Sequence, residues 1–134
     1  EILIGLVGSE MCIRDRIVPM TEEPRFKAEL LRQRNIYREL NQEARTAITA
    51  CGGTAQGQST MAKLNTKMGI SMKTLTDRST RNLAEMLSEG SSQGVMDCIK
   101  SQKDYPDAAP GSKRLMQKLQ DFEEDNRIKL EQFL

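Results

Sequence analysis

Chemistry in a protein begins with side chains that can take a proton, a metal or a substrate atom, and this chain of 134 residues has no histidine at all. The usual general base, the physiological-pH switch and the commonest metal ligand are therefore missing together. Cys12, Cys51 and Cys98 stand at wide, irregular spacing, which argues against a disulfide framework or a zinc site and for a reducing compartment. Cys98 falls on the apolar face of a helical stretch, where a thiol behaves as a small inert hydrophobe. Cys51 lies at a helix end and is better placed to react, yet no histidine or lysine pairs with it in the pattern. The run Gly52-Gly53-Thr54-Ala55-Gln56-Gly57 lacks the strand, the lysine and the spacing of a phosphate-binding loop. Gly90-x-x-x-Gly94, with Ser91 and Ser92, is small-residue spacing that lets two helices approach closely. Arg32, Arg34, Arg38 and Arg45 spread around their helix without interleaved aromatics, and the net charge is only +1. Nucleic acid and acidic lipid are therefore not expected partners.

The elements that must place these residues are helices. Pro24 suits a first helical turn, and from Phe26 the residues Leu30, Gln33, Tyr37, Leu40, Ala44, Ala47 and Cys51 recur at steps of three and four. That spacing predicts a helix over 24–51, roughly 40 Å long at about 1.5 Å per residue, stopped by Gly52 and Gly53. Ser59 can cap a shorter, Met-rich helix over 59–75, in which Met61, Leu64, Met68, Met72 and Leu75 share a face. Such a face reads as core or as a crossover connection, with a membrane-surface or partner-binding module over 59–76 as the alternative. Leu83, Met86, Leu87, Gly90, Gly94, Val95, Cys98 and Ile99 predict a helix over 77–103. Leu115, Leu119, Phe122, Asn126, Leu130 and Phe133 predict another over 112–133, capped by Ser112. Pro106 and Pro110 forbid one continuous helix, so the last two are expected as an antiparallel hairpin. The fold class is all-α, in a single domain over 17–134. The apolar run Ile2 to Val7 is too short to span a bilayer, so no transmembrane segment is expected.

Residues 1–16 differ in texture from the rest. Glu10-Met11-Cys12-Ile13-Arg14-Asp15-Arg16 resembles the conceptual translation of the transposon end used in preparing sequencing libraries. The resemblance implies a non-native segment, to be left out of fold reasoning, with the natural sequence starting near Ile17 and its own N-terminus unseen.

Several short stretches resemble an uncharacterised bacterial family with a ferritin-like four-helix bundle. They are Met61-Ala62-Lys63-Leu64, Lys67-Met68-Gly69-Ile70, Ala84-Glu85-Met86-Leu87, Gly90-Ser91, Gly94-Val95-Met96-Asp97 and Phe122-Glu123-Glu124-Asp125-Asn126. The resemblance covers roughly Phe26 to Leu134. It implies that helix one of the bundle is missing, that 24–51, 77–103 and 112–133 are helices two to four, and that 58–76 lies on the long crossover.

Ferritin-like di-iron sites take a Glu from each of two helices and Glu-x-x-His from each of the other two. On this resemblance the counterpart in helix four is Glu123-x-x-Asn126, and the counterpart in helix two falls near Gln33. An amide is a poor replacement for imidazole at iron. The expectation is a degenerate core in which Gln33 and Asn126 bond to each other or to trapped water and fix helix register. The competing expectation is a residual carboxylate site for iron or manganese built from Glu85, Glu89 and Glu123. No catalytic residue and no cofactor is expected. The reading is a non-enzymatic cytoplasmic bundle acting through protein association, and self-association as a homodimer or higher would cover the groove left by the missing helix. The alternative is a metal-binding or oxidoreductase bundle whose di-iron site has been partly lost.

Overall fold

The computed structural model describes residues 2–50 and 75–134. Among them every regular element is helical: α1 (Ile2–Ile17), α2 (Pro24–Ala50), α3 (Thr80–Asp104) and α4 (Pro110–Leu130), with short 3-10 turns at Val18–Met20 and Glu131–Phe133. No described helix is long and apolar enough to cross a membrane. The chain divides into two compact units, Glu1–Thr80 and Arg81–Leu134. The Met-rich helix expected over 59–75 falls almost wholly outside the described residues, as do Cys51 and the glycine run after it.

In the first unit, α1 packs against α2. The segment read as foreign is thus helical, and its apolar residues Leu3, Ile4 and Val7 are buried. The 3-10 turn then reverses the chain. Thr21 closes it twice, donating its N–H to the Val18 carbonyl at 3.2 Å and its hydroxyl to the Ile17 carbonyl at 3.0 Å. The Glu23 carbonyl accepts the Lys27 N–H at 3.0 Å, which leaves Pro24 in the first helical position, where a proline's missing N–H costs nothing. Along α2 the inward residues are those the spacing predicts: Phe26, Leu30, Gln33, Tyr37, Leu40 and Ala44 are all buried.

In the second unit, α3 starts three residues later than expected. The Ser79 N–H donates to the Asp77 carboxylate at 2.9 Å, an Asx turn that competes with helix at Asp77. That bond holds the Asp77 carboxyl below its usual range. Between the helices, Tyr105 and Ala108 donate to the Ser101 and Tyr105 carbonyls at 3.0 and 3.2 Å. The short turn makes α3 and α4 antiparallel neighbours, tied by Gln102 donating to Gln120 at 2.8 Å.

Two expectations for α4 need correcting. Ser112 does not cap it: the helix begins at Pro110, and its flanking residue Ala109 makes no side-chain cap. Proline's fixed φ starts the turn without one, and the Ala109 carbonyl accepts the Lys113 N–H at 3.0 Å. The buried face is also rotated. Met116, Leu119, Glu123, Asn126 and Leu130 point inward, while Leu115 and Phe122 are only half-buried. Glu123 turns inward with that face. The same happens on α3, where Ser91 is buried and Ile99 is exposed.

Leu119 is 1 % exposed and Ile128 is 53 % exposed on the same helix. Leu119→Ala is expected to cost about 2–5 kcal/mol, and Ile128→Ala about 0.5 kcal/mol or less. Urea unfolding of the two variants checks which face is inward.

Candidate functional site

The polar residues inside the two units are the only buried groups with chemistry to offer among the described residues, and each unit holds its own set. In the first, Arg14 is wholly buried and its guanidinium is almost fully used. Nη1 donates to the Glu10 carboxylate at 2.6 Å and to the Glu10 carbonyl at 3.2 Å. Nε and Nη2 donate to the Gln33 carbonyl oxygen at 3.1 and 2.9 Å. The Tyr37 ring lies 4.6 Å beneath the guanidinium carbon, an attractive place for a cation. Gln33 in turn donates to Glu29 at 3.0 Å, and Glu29 accepts from Arg32 at 2.6 Å. Asp15 pairs with Arg34 nearer the surface. A network in which each buried donor meets an acceptor holds two helices at one register.

Gln33 is buried, and its partners within the first unit are Arg14 and Glu29. The physical reason is local: Glu29 lies one helical turn before it, and α1 delivers a donor against it. Asn126 is equally buried, in the second unit.

There the polar residues lie on the facing sides of α3 and α4. Glu123 is 2 % exposed and sits against Gly94. A Cβ built on Gly94 would lie 3.0 Å from the Glu123 carboxyl carbon and 3.1 Å from Oε2. The glycine is thus a recess that admits the acid. The small-residue spacing Gly90-x-x-x-Gly94 has at Gly94 the close approach its pattern implies. Cys98 lies one turn further along α3, wholly buried. Burial, then the Glu123 carboxylate and then Asp97 push its thiol up to about 12. A thiol so displaced stays protonated and is no nucleophile. The Ser91 hydroxyl is buried with no hydrogen-bond partner among the described residues.

The carboxylates Glu85, Glu89 and Glu123 are not brought together. Glu85 and Glu89 are on the exposed side of α3, whereas Glu123 is inside. Among the described residues no group of three or more Cys, Asp or Glu side chains is placed to hold a metal ion. Read from the sequence, Ser91 is only part of the Gly90-x-x-x-Gly94 spacing, and Glu123 only a ligand of the competing carboxylate site. The positions 116, 119, 123, 126 and 130 step as regularly as 115, 119, 122, 126 and 130, and hydrophobicity alone favours Phe122 over Glu123. The readable signal was Gly94, a gap on the facing helix that only a neighbour's side chain can fill.

Compared with protein-family models, curated proteins and solved structures, the chain matches none.

Two predictions come from this cluster. Gly94→Ala gains up to about 1 kcal/mol of helix propensity but presses on Glu123, for a net loss of about 1–3 kcal/mol. In a Glu123→Ala background the same change is expected to stabilise, so a double-mutant cycle by urea unfolding reads the contact. The second concerns Cys98. Its folded value, about 12, exceeds a thiol's ordinary value of 9.0. The protonated thiol's contribution is therefore complete below pH 9 and is lost as pH rises through the folded value. The wild-type chain should lose stability more steeply than Cys98→Ala between about pH 9 and 11, as measured by unfolding midpoints across that range.

Proposed function

We propose that this chain is a non-catalytic, cytoplasmic helical protein of ferritin-like build that works through association with protein surfaces, its own copies included. Residues 1–16 are foreign to it in this reading, and the natural first helix lies upstream of Ile17. The observation that carries the reading is the chemistry of two core positions. Gln33 and Asn126 are each wholly buried, and each is an amide where the resemblance would put a metal ligand. Neutral amides hold their place by hydrogen bonds and contribute to register, and they ask for no ion. Association is supported by large apolar side chains left in the open: Met96 and Ile99 on α3 are 48 % and 38 % exposed, and Ile128 on α4 is 53 % exposed.

Glu123 favours a second reading, a carboxylate site for iron or manganese, because it is a buried acid close to the core amide of its own helix. Metal analysis of the purified protein after loading with either ion separates the two. The association reading expects substoichiometric metal and a sedimentation coefficient that rises with protein concentration. A stoichiometric transition ion would overturn it in favour of the metal site, and a monomer at every concentration would remove the association.

A further inference from the structure

We infer that the buried face of α2 is the seat of a helix from the natural protein that carries a basic side chain against Gln33, and that α1 fills that seat here as a substitute. The inference rests on the reading of residues 1–16 as foreign. It adds the position and the chemistry of what belongs there.

The turn shows where the occupant comes from. Ile17 to Glu23 belong to the natural sequence on this reading, and they already fold the chain back. Ile17 is wholly buried, and Thr21, 8 % exposed, closes the turn onto the Ile17 and Val18 carbonyls. A link this short lays whatever precedes it antiparallel along α2. The occupant is therefore the parent chain's own preceding segment.

Gln33 shows what that segment must carry. Its amide nitrogen is committed within α2, donating to Glu29 one turn back at 3.0 Å. Its carbonyl oxygen is left for the neighbour, where it takes two N–H groups from Arg14. A buried acceptor without a donor costs about 1–3 kcal/mol, so a glutamine on this face has a standing requirement for a donor opposite. One further group of α2 favours a cation over a hydroxyl or an amide. The Tyr37 ring presents its face 4.6 Å from the Arg14 guanidinium carbon, while the Glu29 carboxylate is already taken by Arg32 and Gln33. Lysine or arginine is thus the side chain that fits. The foreign segment is accepted because Leu3, Ile4 and Val7 supply the apolar stripe and Arg14 supplies the cation.

Two experiments test this. The first is the coding sequence upstream of Ile17 in the genome that carries the natural gene. An amphipathic helical stretch with Arg or Lys about three or four residues ahead of Ile17 is expected. A stretch with no amphipathic pattern, or with an apolar or acidic residue there, overturns the inference. The second uses the full chain as it stands. Arg14→Leu should lower the thermal midpoint by several degrees, Arg14→Lys should keep most of it, and Arg14→Leu with Gln33→Leu should recover most of the loss. An unchanged midpoint in Arg14→Leu, or no recovery in the double variant, overturns the requirement for a donor. Sedimentation is unaffected by either outcome in principle, so a failure here is distinguishable from a failure of the association reading.

Discussion

The contact between Glu123 and Gly94 is the constraint on which the second unit depends. A carboxyl group can enter a helix interface only where the facing helix has no side chain, and Gly94 is that place on α3. Once Glu123 is seated, the helical repeat leaves no choice about the rest of the face. Met116, Leu119, Asn126 and Leu130 must turn inward with it, and Phe122 must come part-way out. The burial of Cys98 one turn from Gly94, and the inertness of its thiol, are further consequences of the same approach. Interiors are packed densely enough that one missing methyl group can fix the register of two helices.

The first unit solves the same problem by another route. Its buried polar groups are matched in a chain from Glu10 through Arg14 and Gln33 to Glu29, so no large recess is needed. The glutamine is the pivot. It uses its donor within its own helix and its acceptor across to the next, which makes it a device for choosing a neighbour. A purely apolar stripe would take any helix of the right width, whereas this one also asks for a donor opposite Gln33.

How much of this could be read from the residues alone differs between helices, for a physical reason. In α2 the apolar positions have no rivals, and the face from Phe26 to Ala44 was legible in full, with Gln33 correctly placed among the buried residues. In α4 two faces one residue apart were equally periodic. Hydropathy favoured the one containing Phe122, because it ranks a phenyl ring above a carboxylate and knows nothing of the glycine opposite. Helix starts were misplaced where a local bond outcompeted the general rule, at Asp77 through its Asx turn and at Ser112 because Pro110 had already begun the helix. Leaving 1–16 out of fold reasoning, on its texture and its resemblance, hides Arg14 and its whole network.

The fold-back at Val18–Met20 sets the alignment of the whole first unit. It lays α1 back along the apolar strip of α2, closed by Thr21 onto the Ile17 and Val18 carbonyls. Loosening that closure would let α1 slide or swing, and the alignment of Arg14 with Gln33 and Tyr37 would be lost with it.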